Sequence, residues 1–266
     1  MVKEGLLVLN AGSSSLKFAV YASSQSVSLL NILLRGQIAG IGCNPKFNAC
    51  NDQGDSLELR SDHSPLTVDN HMDAITLVLN WVHQQVDNLL LIGVGHRVVH
   101  GGRQRKQPAL VTDSLLQELE SLCRLAPHHQ PHNLSAIRAV KAMDPLLPQV
   151  ACFDTAFHAD QPDVARRLSL PRRYQEKGLI RYGFHGLSYE YINSTIAGYN
   201  QGSQPERLIV AHLGNGASLC AIAQGQSLAT SMGFSTLDGL MMGTRSGSLD
   251  PGVLLHLMHA MIKVIH

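Results

Sequence analysis

Leu6-Leu7-Val8-Leu9-Asn10-Ala11-Gly12-Ser13-Ser14-Ser15-Leu16-Lys17-Phe18-Ala19-Val20-Tyr21 is the stretch on which the fold turns. An apolar run over 6–9 stops at Asn10, small residues follow, and 16–21 is a second β-like run. Strand, small-residue turn, strand is the reading. The arrangement returns at 208–211, His212-Leu213-Gly214-Asn215-Gly216-Ala217-Ser218, and 219–223. Two such hairpins far apart suggest two related domains, each opening on a glycine/serine turn. Chance likeness between two turn-rich hairpins is the other reading, and pattern alone leaves both open.

Working outward, residues 72–86 carry helical apolar spacing and 89–94 read as a buried strand. Residues 112–124 read as a helix that Thr112 or Asp113 caps, and 133–143 as another, followed by a strand over 150–153. Strands alternating with helices predict an α/β fold. The polar, turn-rich stretch 40–65 predicts loops and short strands, and 198–205 a surface loop. Residues 253–265 are apolar and helix-like, a segment that needs something to pack against.

The bulk numbers narrow the function classes. The chain has 266 residues, 44% hydrophobic and 15% charged, which is globular composition. A formal net charge of +1 supplies no overall field toward nucleic acid or an anionic membrane. Five scattered cysteines without a C-x-x-C pair argue against a disulfide scaffold or a structural zinc site. No apolar run reaches the roughly 18 residues of a membrane span, and the apolar stretch after the N-terminus is too short for a signal-peptide core. The expectation is a cytoplasmic protein.

Five clusters carry chemistry. The turn from Asn10 to Ser15, followed by Lys17, lets backbone N–H groups and hydroxyls approach an anion, yet reads equally as a serine-rich hairpin turn; it lacks the G-K-[ST] of a P-loop. Gly95-His96-Arg97-Val98-Val99-His100-Gly101-Gly102 offers an arginine for bidentate recognition of a carboxylate or phosphate, or a strand end with solvated bases. Asp154, just after an apolar strand, is either a site carboxylate or a helix cap. Arg181-Tyr182-Gly183-Phe184-His185-Gly186 and Gly243-Thr244-Arg245-Ser246-Gly247 set a histidine and an arginine among glycines. Cationic clamps, a carboxylate and phosphate-cradling turns are together the kit of phosphoryl transfer. In His128-His129-Gln130-Pro131-His132 the proline is expected to interrupt any helical register, and no ligand spacing for a transition metal is present.

These motifs, in order, resemble the acetate and propionate kinases: N-A-G-S-S-S-L-K-F from Asn10, G-H-R-V-V-H-G-G from Gly95, C-F-D-T-A-F-H from Cys152, R-Y-G-F-H-G from Arg181, H-L-G-N-G-A-S from His212, and S-M-G-F from Ser231 with G-L-M-M-G-T-R-S-G from Gly239. The resemblance implies an α/β fold of two domains of the actin and hexokinase (ribonuclease H-like) type, 1–153 and 154–266, the second incomplete, with the active site in the cleft between them. It implies a carboxylate kinase that moves a phosphoryl group between ATP and acetate or propionate, giving acyl phosphate and ADP, and a homodimer. By position, Asn10 would sit near Mg2+ and Lys17 near the nucleotide phosphates. Arg97 would hold the substrate carboxylate, and Val99 and Phe184 would line the acyl pocket. Asp154, His185 and Arg245 would be catalytic, and His212, Leu213, Gly214, Asn215 and Gly216 would line the ATP phosphate site.

Departures from the pattern fall on the rim. Arg103 stands where the family has Glu, His128 where it has Leu, Thr236 where it has Pro, Leu187 and Tyr189 for Thr and His, Ala229 for Asp, and Ser248 for Asp. Family members also continue beyond this length, which implies weak or absent turnover for these residues alone. A remnant that binds ligand without turnover and a longer-chain acyl kinase are the alternative expectations.

Overall fold

The computed structural model describes residues 2–23, 31–59 and 66–262, with side chains described to 259. The last part of the polar stretch, 60–65, and the expected reach of the final helix to 265 lie outside the described residues. Contacts divide the chain into two compact units, Met1–Ala156 and Phe157–His266.

The first unit is built on a sheet of eight strands: β1 (Lys3–Ala11), β2 (Ser15–Ala22), β3 (Ile32–Ala39), β4 (Lys46–Asn51), β5 (Ser56–Leu57), β6 (Leu89–Val98), β7 (Ala109–Leu110) and β8 (Gln149–Phe153), ordered β5-β4-β3-β2-β1-β6-β8-β7. The quoted opening stretch is its central hairpin. Asn10 and Ala11 belong to β1 itself, opposite Lys17 and Leu16, so the turn shortens to Gly12-Ser13-Ser14. β1, β6 and β8 run parallel and adjacent.

Alternation decides which face is which. Leu7, Leu9 and Ala11 of β1, with Leu16, Phe18 and Val20 of β2, are buried on one face, and Asn10 and Lys17 point to the other. Helices α1 (His71–Gln85) and α3 (Gln130–Met143) cover the apolar face, with Ile75, Val78, Trp81 and Ala139 entering the core. Trp81 meets Phe18 and Phe47 edge-on, with centroids 5.8 Å and 4.9 Å away. α2 (Asp113–Ser121) starts at Thr112, whose hydroxyl accepts from the Leu115 N–H, and buries Leu115 and Leu119 against Val98, Ile137 and Phe153.

α3 begins three residues earlier than its sequence suggests. Pro131 falls in the first turn, where a missing N–H costs nothing, so the proline opens the helix instead of interrupting it.

The second unit holds short helices α4 (Asp163–Arg166) and α5 (Arg172–Glu176), then α6 (Gly186–Tyr199), the antiparallel strands β9 (Arg207–Leu213), β10 (Ala217–Ala223) and β11 (Gln226–Thr230), and α7 (Pro251–Ile262). Tyr189, Val210, Cys220 and Ile222 make its core. The expected surface loop shortens to 200–205, because α6 runs on to Tyr199. All five cysteines are free thiols.

The Trp81 cluster yields a test of the first unit. Phe18→Ala removes a ring that is 4% exposed and should cost about 3–5 kcal/mol. Urea titration followed by the fluorescence of Trp81, the chain's one tryptophan, should show the midpoint fall accordingly.

Candidate active site

In the first unit the C-terminal ends of three parallel strands bring three predicted residues together. Asn10 is the last residue but one of β1 and Arg97 of β6, and Asp154 follows β8, its N–H donating to the Val98 carbonyl at 3.0 Å. This is where ligands gather in α/β sheets. Arg97 Nη2 pairs with Asp154 Oδ2 at 2.6 Å, Nε spans both carboxylate oxygens at 3.1 Å, and Nη1 donates to Asn10 Oδ1 at 3.2 Å. The next helical turn begins at Ala156, so Thr155 rather than Asp154 precedes it. The Asp154 side chain is 2% exposed and that of Arg97 32% exposed, so the pair is closed on the acid side and open on the base side. The carboxylate beside it raises the Arg97 pKa further above its already high value. An arginine has five N–H groups; with three engaged here, two remain to meet an anion.

Sequence reasoning missed what holds these strand ends. Asn133, near the start of α3, donates to the Ala11 carbonyl at 2.7 Å and accepts from the Val99 N–H at 3.0 Å. Gln130 bonds the backbone of His100 in both directions, and His71 Nε2 lies 2.7 Å from the Gly12 carbonyl. The available signal was a helix opening on carboxamides, hidden by reading Pro131 as a break.

In the second unit the glycine turn Gly214-Asn215-Gly216 between β9 and β10 is the centre. A Cβ on Gly216 would stand 2.7 Å from Arg245 Nη2 and 3.2 Å from His185 Nε2, so both donors border the turn. The His185 and His212 rings stack with centroids 4.0 Å apart. His212 Nδ1 meets the Ser188 hydroxyl at 3.0 Å, Arg245 Nη1 donates to the Thr236 carbonyl at 2.7 Å, and the Gly243 N–H donates to the Asn215 carbonyl at 3.1 Å. Burial lowers the Arg245 pKa from its ordinary value, which still leaves a guanidinium charged at neutral pH. His185 has φ 60°, a left-handed conformation rare for a residue with a side chain. It stands at the N-terminus of α6, whose first N–H groups and dipole favour an anion. Asp238 is a second omission of the sequence reading: it pairs with Arg181 at 3.5 Å and accepts from Gly239 N–H and Ser248 Oγ, each at 2.8 Å, tying the loop that carries Arg245.

Other predicted residues are placed plainly. Lys17 is exposed beside Asn10 on β2, Leu213 is exposed, and His128 is exposed. Val99 and Phe184 are both buried. Among the described residues no group of three or more His, Cys, Asp or Glu is arranged to hold a metal. The oxygen set at Asn10 and Asp154 nevertheless suits Mg2+, which is commonly held by one or two protein oxygens with phosphates and water.

The acetokinase family model matches residues 5–264. The chain belongs to the acetokinase family. It is 47% identical over 254 residues to the acetate kinase of Rhodopseudomonas palustris, covering 95% of this chain and 63% of that one. It superposes on a propionate kinase from Francisella tularensis with a TM-score of 0.83 at 33% identity, and on the acetate kinase of Porphyromonas gingivalis with 0.79 at 32%. These cover 96% and 97% of this chain and 64% of each structure. The fold is thus the actin and hexokinase type of these kinases, and the chain spans a little under two thirds of the length of its relatives.

Two buried histidines beside Arg97 give a pH signature. Burial pushes the pKa of His96, 2.8 Å from the Gln149 amide, and of His100 from 6.5 down to about 4. Both bind protons more readily unfolded than folded, so their contribution is full above pH 6.5 and is lost as pH falls toward 4. The loss should reach on the order of 3 kcal/mol for each. Urea midpoints read by Trp81 fluorescence should drop across that window; a flat profile would contradict the burial of both rings.

Proposed function

We propose that this acetokinase-family chain carries the phosphoryl-transfer residues of a carboxylate kinase, with ATP as donor and acetate or propionate as acceptor. The observation that supports it is the Arg97–Asp154–Asn10 constellation, an anion clamp held by a closed carboxylate at the ends of three parallel strands.

The chemistry fits this set of groups. A short-chain carboxylic acid is already ionised at pH 7, since such groups titrate near ~4. The nucleophile needs no general base, so Asp154, paired with Arg97, is not called on as one. A carboxylate oxygen of the acid attacks the γ-phosphorus, the bond from phosphorus to the bridging oxygen breaks, and ADP leaves with that electron pair. Arg97 holds the acid with its two remaining N–H groups. His185 and Arg245, bordering the Gly216 turn, supply donors to the transferring phosphoryl group, whose charge they meet better than that of the ground state. His212 to Gly216 and Lys17 serve the nucleotide phosphates. When bound, Mg2+ neutralises phosphate charge, and Asn10 with Asp154 would orient its water. Val99 and Phe184 are assigned to the wall against the acyl chain.

The same reading assigns residues 1–153 and 154–266 to the two domains of the family, a homodimer as the assembly, the cytoplasm as the location, and neither nucleic acid nor membrane as partner. No helix among the described residues is long and apolar enough to cross a membrane. The alternative reading is a protein that binds nucleotide without turnover.

A hydroxamate assay for acyl phosphate with ATP, magnesium and acetate, propionate or butyrate separates the readings. Product from acetate or propionate is expected, and butyrate as the best acid would replace the acceptor with a longer chain. ATP binding with no product from any acid would establish the alternative reading. Arg97→Lys, which keeps the charge and loses the planar fork, and Arg245→Ala should each slow product formation on the order of 100- to 1,000-fold. Unchanged rates in both would overturn these roles.

A further inference from the structure

Tyr189 and Ser218 are fully buried and lie behind His185 on the side away from Gly216. Tyr189 is in the first turn of α6 and Ser218 on β10, so a helix and a strand of one unit bring both hydroxyls to one imidazole. Ser218 Oγ is 2.8 Å from His185 Nδ1 and makes a short hydrogen bond with the Tyr189 hydroxyl. The chain of contacts runs phenol, hydroxyl, imidazole, and its far end is His185 Nε2 beside Arg245.

We propose that Tyr189 is a positioning residue that acts through Ser218 to fix His185 as the tautomer with its proton on Nε2, aimed at the anion. The argument follows the hydrogens. The Tyr189 hydroxyl has Ser218 as its hydrogen-bond partner in a closed interior, so a proton pointed elsewhere would be buried and unpaired, at about 1–3 kcal/mol. Tyr189 therefore donates to Ser218 Oγ. The Ser218 hydrogen then has His185 Nδ1 as its acceptor. An Nδ1 that accepts carries no proton, so the ring proton sits on Nε2. A second proton on Nδ1 would leave the Ser218 hydrogen without an acceptor. Burial pushes the Tyr189 pKa up to about 12, so the phenol keeps the proton it donates throughout the ordinary pH range. The left-handed turn at His185 supports the same end, since it fixes where the ring starts from while the hydroxyl pair fixes how it is protonated.

The proposal rests on His185 being a donor to the phosphoryl group, but its test reads the tautomer directly. In 15N-histidine-labelled protein, two-dimensional spectra that correlate ring nitrogens with ring hydrogens report which nitrogen is protonated, and His185→Gln assigns the signal. The wild-type chain should show His185 with a bare Nδ1 and a protonated Nε2. Tyr189→Phe should move His185 toward a mixture of the two tautomers while the signals of His158 and His212 stay in place. Ser218→Ala should do the same, and Ser218→Thr, which keeps the hydroxyl, should retain the wild-type pattern. Where acyl phosphate is made, Tyr189→Phe should lower kcat about 10- to 100-fold with KM little changed. A wild-type proton on Nδ1, or an unshifted tautomer in both Tyr189→Phe and Ser218→Ala, would overturn the relay. Absence of acyl phosphate with the expected tautomers would instead count against the kinase reading and leave the relay standing.

Discussion

A carboxylate closed off from water beneath an arginine is the constraint around which the first unit is arranged. A buried, ionised Asp154 without a partner would cost several kcal/mol, so Arg97 must be delivered to it with good geometry. Parallel pairing of β6 and β8 does this, because Arg97 and Cys152 stand in register and Asp154 is two residues further on. Asn10 comes to the same place because β1 pairs with β6 on the other side. Burial of a polar cluster at strand ends would leave backbone groups of Ala11 and Val99 unsatisfied, and Asn133 resolves both with one carboxamide. The stability of the sheet and the aim of Arg97 are therefore one problem with one solution.

The second unit solves a different problem: bringing an arginine and a histidine N–H to backbone without closing the space before them. Gly216 has no side chain, so Arg245 and His185 approach it, and Gly243 lets the Asn215 side chain lie where any Cβ would clash at 2.2 Å. Gly183, with φ 73°, packs against the His158 ring, and His158 Nε2 meets the Phe184 carbonyl at 3.0 Å, so the turn entering His185 is held from behind. Its left-handed backbone costs on the order of 1–3 kcal/mol, which this surrounding structure must offset.

Much of this was legible from residue order. The hairpins, the helices from 72 and 112, the strand ends at Arg97 and Asp154, and the glycine-flanked His185 and Arg245 follow from apolar period and glycine placement, and the family motifs attached expected roles to them. What stayed hidden depends on partners distant in sequence. Asn133 is an unremarkable helix residue until Ala11, 122 positions away, presents its carbonyl. Asp238 lies outside every glycine-flanked cluster and gains meaning from Arg181 and Ser248. Tyr189 and Leu187 read as departures at the rim; only the packing of α6 against β9 and β10 gives Tyr189 a place in the core. Pro131 misled because the same residue ends a helix from inside and begins one from its first turn.

Apolar exposure adds the last step. The final helix was expected to need a packing partner, yet Leu254, Leu255, Leu257 and Met258 of α7 are all exposed, as are Ile209 and Leu213 on β9. These residues contribute nothing to the core of Tyr189, Val210, Cys220 and Ile222. The ordering of His185 therefore draws on the buried side of the three-stranded sheet, through Tyr189, Ser218, His158 and the stacked ring of His212. Cover over the outer side would add burial and stiffness to the unit, but the protonation state of the imidazole is already determined by hydroxyls sealed within it.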